Sequence, residues 1–180
     1  MALTRVKKVP TANLVEGSSF LTTSSTLTSS NMPAGTILQV KSIEFSSDQA
    51  LANDITTFSN AGSLSIDPRS TSSKIFVFCT CAGDAHTGNY RAIYWDVVRT
   101  IDGSGSTSIE NTNYHMYSGN EQEHNISKNT LQFLDSPNTT GNCNYTLRGR
   151  HQSGSSQSGT YNGYLNRYNE STMTLMEVAG

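Results

Sequence analysis

From Lys74 onward the chain runs through eight positions that offer no polar face. Ile75, Val77, Cys79 and Cys81 fall on one side of an extended chain, and Phe76, Phe78, Thr80 and Ala82 fall on the other. A strand that is apolar or small on both faces reads as a central strand covered from both sides. The rest of the chain is therefore expected to supply two covers. Immediately upstream, Asp67-Pro68-Arg69 opens a polar turn. Pro68 fixes its own φ and pushes Asp67 towards an extended conformation, which ends the short run Leu64-Ser65-Ile66. The hydroxyls of Ser70, Thr71, Ser72 and Ser73 suit hydrogen bonds to local backbone.

Other segments carry weaker versions of the same period. Thr36–Phe45 alternates through Leu38 and Val40, then slips to Ile43 and Phe45, a pattern that predicts a strand with a bulge. Ile55–Phe58 predicts a short strand, and Tyr90–Thr100 a long one whose faces carry Ile93, Trp95, Val97 and Ala92, Tyr94, Val98. Joined by a polar loop, Lys74–Cys81 and Tyr90–Thr100 read as a hairpin. Asp102–Ser106 reads as a flexible turn, followed by a strand near Asn113–Ser118. Thr130–Asp135, Asn144–Arg150 (Tyr145 and Leu147 inward), Thr160–Asn166 and Ser171–Val178 complete the set. About eight short strands with no helical period predict an all-β antiparallel sandwich or barrel. The expected core is Ile75, Phe76, Val77, Phe78, Ile93, Trp95, Val97, Leu147, Leu175 and Val178, each contributing about 1.5–3 kcal/mol when fully buried.

Composition narrows the class. Hydrophobic residues make up 34% and charged residues 14%, while the net charge is only -2, so the chain lacks the high charge typical of disordered sequences. Abundant Ser, Thr, Asn and Gly suit a turn-rich β protein that packs against other chains, because paired hydroxyls and amides bury more readily than charges. A pI near 6.0 disfavours a nucleic-acid partner. No apolar run is long enough to span a membrane, and Met1–Lys8 is not followed by the apolar stretch of a signal peptide. Cys79, Cys81 and Cys143 form no disulfide framework and read as small buried hydrophobes. Residues 1–31 differ from the remainder: they open with Arg5, Lys7 and Lys8, become Ser/Thr-rich, and show no helical period. They read as an extended N-terminal attachment arm preceding a single domain over residues 32–180.

Four stretches in order, Met32–Val40, Asp67–Ile75, Phe133–Pro137 and Thr174–Val178, resemble the C-terminal globular domain of tailed-phage and marine-virus fibre-like proteins. The resemblance implies a homotrimeric β-sandwich or jelly-roll on a virion, with no known catalysis. The present chain lacks a fibre shaft, its only non-globular part being the arm. Residues and resemblance together lead to the expectation of a virion structural protein made in the host cytoplasm. It would be a short phage tail fibre attached by its arm to other virion proteins, with a head that recognises host-surface glycan. The alternative is a capsid decoration protein that stabilises the phage head.

Enzymatic motifs are absent from the sequence: there is no nucleophile elbow, phosphate loop or dinucleotide fingerprint, and no cofactor is expected. His86, His115, His124 and His151 show no metal-ligand spacing within one chain. One histidine per chain on a three-fold axis would supply three ligands, and His115 is the candidate for that inter-chain arrangement. Tyr114, Tyr117 and Tyr168 lie in polar, Asn/Gly/Ser-rich surroundings. Tyrosine offers a large contact area at low entropic cost, so these three are the candidate receptor-binding residues. Tyr161 and Tyr164 fall on predicted strands and are expected to pack their rings on a sheet.

Overall fold

The computed structural model describes residues 32–52, 56–86, 91–112, 125–153 and 162–180. The expected arm, with Arg5, Lys7 and Lys8, and the expected strand at Asn113–Ser118 lie outside the described residues. Ten strands and no helix occur among those described: β1 (Ile37–Phe45), β2 (Gln49–Ala50), β3 (Ser59–Ile66), β4 (Lys74–His86), β5 (Arg91–Ile101), β6 (Ser104–Thr112), β7 (Asn125–Asp135), β8 (Cys143–Ser153), β9 (Asn162–Leu165) and β10 (Ser171–Val178).

All pairings are antiparallel, and they build two sheets. In the first, β10 and β9 follow one another along the same side of β4, while β1 and β2 follow one another along their outer side and β7 lies on the far side of β4. The second sheet has the order β3-β8-β5-β6. Counting β1/β2 and β9/β10 as two interrupted strands, the first sheet takes the first, eighth, third and sixth positions of the chain and the second takes the second, seventh, fourth and fifth. This is the order of a jelly roll, two Greek keys wrapped into a sandwich. The expected hairpin between Lys74–Cys81 and Tyr90–Thr100 is not formed: β4 and β5 lie in different sheets. The tight hairpin is β5–β6 instead. Asp102 and Gly103 both have positive φ (48° and 73°), the geometry of a two-residue Asp-Gly turn that matches strand twist. The register irregularity of β1 lies between Ile37 and Gln39 rather than after Val40, and Thr56–Phe58 forms no strand.

The core lies between the sheets. Ile75, Val77, Cys79 and Cys81 from β4 meet Ile93, Trp95 and Val97 from β5, with Tyr145 and Leu147 from β8 and Met173 and Leu175 from β10, all without solvent exposure. The three cysteines are free and buried, as their spacing predicted. At the edge of the sandwich Phe45 closes against β3, where a Cβ on Gly62 would come within 2.2 Å of its ring, so only glycine lets the two sheets meet there.

One end of this core is not apolar. On the inward face Glu177, Ile75 and Asp135 are direct cross-strand neighbours, with Gln39 beyond Glu177. The Asp135 carboxylate accepts hydrogen bonds from Arg99 Nη1 (2.5 Å) and from the Tyr145 hydroxyl (2.6 Å), both from the opposite sheet. Burial, together with the bond to Asp135, pushes the Tyr145 hydroxyl well above its ordinary pKa and keeps it a donor. The Glu177 carboxylate accepts from the Arg69 amide (2.6 Å) and from Gln39 Nε2 (2.7 Å), and Gln39 Nε2 also donates to the Asp67 carbonyl (2.7 Å). The turn before β4 is thereby fastened to both of the strands that precede β4 in sheet order, β10 and β1.

The outward face of the first sheet differs from the sequence expectation. Phe76, Phe78 and Val178 are only half-buried, because among the described residues the second sheet covers the inner face of β4 and nothing forms a layer over the outer one. Val40, Met176, Phe76 and Leu134 are direct neighbours in a row across all four strands, with Val40 56% and Leu134 53% exposed.

Three predictions follow from this packing. Asp135→Ala should cost about 3 kcal/mol or more in urea denaturation, because it strands a largely buried guanidinium as well as a buried hydroxyl. Burial pushes the Cys79 thiol up to about 12 from 9.0 and also raises Cys81. Above pH 9 the unfolded chain gives up thiol protons that the native chain keeps, so stability should fall as pH rises from 9 towards 12. In native protein at pH 8 a maleimide should label none of the three native thiols, and all three once the chain is unfolded.

Candidate functional site

β9 and β10 are interrupted by the turn Asn166–Glu170, and this turn displays Tyr168. Asn166 anchors it. Its amide donates to the Ala82 carbonyl (2.9 Å), and its buried side chain donates from Nδ2 to the Ala61 (3.0 Å) and Ser47 (3.1 Å) carbonyls. The turn is thus tied to β4, to β3 and to the break between β1 and β2. Asn166 has φ 63°, a left-handed conformation in which asparagine is several-fold enriched over most residues. Tyr168 has φ 59°, uncommon for a bulky residue, and is 60% exposed.

Around it the side chains form a small stack. The Arg167 guanidinium lies 4.0 Å from the centroid of the Tyr164 ring and 5.0 Å from that of Tyr168, in the range of cation–π attraction. Asp48, from the neighbouring break, lies 4.0 Å from Arg167 Nε. The cluster offers an exposed aromatic ring beside guanidinium donors and an exposed carboxylate. Those are the groups that stack on an apolar sugar face and hydrogen-bond its hydroxyls.

Of the three tyrosines singled out from the sequence, Tyr168 is on this surface, while Tyr114 and Tyr117 lie outside the described residues. His115 lies outside them as well, and among the described residues no group of three or more His, Cys, Asp or Glu could hold a metal ion. Tyr164 does lie on a strand, but its ring is half-buried and carries Arg167. Sequence reasoning missed Arg167, Asp48 and Asn166. The string Asn166-Arg167-Tyr168-Asn169-Glu170 held a turn signal, but Asp48 is brought to it only by the pairing of β2 with β9.

A second aromatic–arginine group closes the outer face of the other sheet. Arg148 lies over Phe58 (4.3 Å) and pairs with Asp96, which also accepts from the Ser108 hydroxyl (2.7 Å), and Arg150 lies over Tyr94 (4.3 Å). Tyr94 and Asp96 are buried beneath it, so this group is packing within the chain.

No protein-family model matches the chain, and no curated protein matches it. Similar solved structures include that of infectious bursal disease virus Gt strain (TM-score 0.47, 12% identity) and the crystal structure of the infectious bursal disease virus VP2 subviral particle (TM-score 0.49, 13% identity). Each match covers 79% of the present chain but only 38% and 33% of those chains, so the matched part spans about a third of their length. Identity and overlap at this level carry no residue or role across.

The backbone of the turn makes one prediction. Substitution at Tyr168 should rank Gly, then Ala, then Val in melting temperature, with Tyr168→Gly within about 1 kcal/mol of the parent and the β-branched variant worst, because only glycine accepts positive φ freely.

Proposed function

We propose that the protein is a virion structural protein, a homotrimeric short tail fibre that presents a jelly-roll head for recognition of host-surface glycan. The observation that carries this reading is a polarity of the sandwich. The chain enters at the C-terminal end of β10, where the Gly35 amide donates to the Ala179 carbonyl (2.8 Å) and the Ala179 amide to the Thr36 carbonyl (2.8 Å). Tyr168 stands just before the other end of the same strand. The strand is 8 residues long, a span of about 27 Å. An arm leaving one end and an exposed aromatic cluster at the other is the arrangement an attachment protein needs. The jelly roll supports the reading in general terms, since the architecture serves viral shells and lectins alike. The trimer rests on the resemblance of the four sequence stretches. The role assigned is one of binding and assembly, without catalysis.

The test has two parts. Immunogold against residues 41–180 on intact particles should mark the tail; gold spread evenly over the head would replace the fibre reading with that of a decoration protein. Particles carrying Tyr168→Gly should assemble normally and adsorb to host cells about tenfold less well or worse, the loss expected for an aromatic anchor. Undiminished adsorption would remove Tyr168 from the receptor site.

A further inference from the structure

Among the described elements none covers the outward face of the first sheet. Its central row is Val40, Met176, Phe76 and Leu134, and the two end members are 56% and 53% exposed. Ile37 (57% exposed) and Val178 extend the apolar surface on one side of the row, and Phe78 extends it on the other. Four strands about 4.8 Å apart and the length of β10 give a face of roughly 19 by 27 Å, or about 500 Å². A largely apolar patch of that size marks an interaction site. The outer face of the second sheet offers no equivalent, because Arg148 and Arg150 close it over Phe58 and Tyr94.

The face suits other copies of the same chain. Three such faces turned to a common axis bury about 1,500 Å² in all, close to the ~1,600 Å² of a standard stable interface. The charges at its two sides are opposite in sign. Glu44 is exposed on β1, and Lys128 is exposed on β7, two residues beyond Thr130, the β7 residue in line with Glu44. Three strand spacings, about 14 Å, separate them within one chain, too far to pair. Where the β7 side of one copy meets the β1 side of the next, Lys128 comes to Glu44 and Leu134 to Val40. A contact between two different sides of one face is head-to-tail, and it closes into a ring when the rotation allows. Lys74, at the opposite end of the face, can carry its ammonium past the strand ends into water. An axis parallel to the strands also keeps the Gly35–Ala179 entries of all copies at one end and the Tyr168 turns at the other.

We infer that the outward face of the first sheet is the surface on which three copies of this chain meet, about an axis parallel to its strands. Leu134 and Lys128 of each copy lie against Val40 and Glu44 of the next. The number three rests on the homotrimer proposed above; the surface and its two sides rest on strand register and exposure.

The full-length chain provides the test. Light scattering should give the parent the mass of a trimer, and Leu134→Asp that of a monomer with its β-sheet circular dichroism intact. Val40→Cys and Leu134→Cys placed together in one chain should, on mild oxidation, run as a covalent trimer without reductant. A disulfide needs Cα atoms within about 7 Å, so these two positions cannot join inside one chain, and the three native cysteines are buried. Glu44→Lys should raise the concentration of half-dissociation about fivefold or more at low salt, and adding Lys128→Glu should return it to within about twofold of the parent. A monomeric parent overturns the inference together with the homotrimer. A trimer that withstands Leu134→Asp, or whose paired cysteines stay reduced, overturns the inference and leaves the homotrimer standing. A covalent dimer in place of the covalent trimer overturns it as well, being the mark of a two-fold contact, and so does a double charge reversal that restores nothing.

Discussion

The structure depends on a single inward-facing row, Glu177–Ile75–Asp135, at the start of β4. Burying two carboxylates beside an isoleucine is expensive unless both accept hydrogen bonds. Here Asp135 accepts through Oδ2 and Glu177 through both Oε1 and Oε2. Asp135 gathers Arg99 and Tyr145 from the second sheet, so it acts as a directional clasp between layers that are otherwise held by non-directional burial. Glu177 gathers the Arg69 amide and Gln39, and so fixes the turn that launches β4 and the edge strand β1. Apolar packing tolerates small slips of one sheet over another. A charged pair with fixed donors does not, and a one-residue slip in β7 or β10 would turn its carboxylate out of the core.

With that end fixed, β4 explains the rest of the layout. It is the one strand in hydrogen-bonded contact with β10, β9 and β7. Its inner side chains are fully buried under the second sheet, while its outer ones, Phe76 and Phe78, are half-buried. A strand apolar on both faces in a two-layer fold states that a third layer is needed. The outer face beyond the apolar row carries the hydroxyls of Ser42, Thr174, Thr172, Thr80 and Thr130 among Phe78, Gln132 and Glu44, and those of Ser42 and Thr174 bond to one another at 2.9 Å.

Strand existence was legible in the sequence wherever one face was covered. The alternation of Tyr145 and Leu147 with Thr146 and Arg148, and of Met173 and Leu175 with Thr172 and Thr174, appears in the structure as strict buried and half-buried alternation. Partnership was less legible. Between β4 and β5 the pattern of side chains is the same for a hairpin and for a crossover between sheets, so periodicity could not tell them apart. The Asp102-Gly103 dipeptide did hold the hairpin signal, but the weak hydrophobicity of β6 masked it. Of the candidate site, the residue type of Tyr168 could be read, because an exposed tyrosine among Asn and Glu is a local feature. Asp48 could not, since it reaches Arg167 from more than a hundred positions away through the pairing of two short strands. The sequence pattern places Asn166 at the end of a strand, Thr160–Asn166, and its three backbone partners are set by tertiary structure alone.

The interruptions in the two outer strands are one feature rather than two. β1 pairs with β10 and β2 with β9, so the break at residues 46–48 lies beside the break at 166–170. Asn166 Nδ2 joins them through the Ser47 carbonyl. The double break pushes a turn into solvent, with Tyr168 exposed on it. The fold thus needs the Asn166 side chain, whereas that of Tyr168 is 60% exposed beside Arg167. Position 168 can therefore change its chemistry at small cost to the sandwich, whereas position 166 cannot. The residue that holds the turn and the residue that the turn exposes are thus different, so the exposed chemistry can be altered without altering the turn.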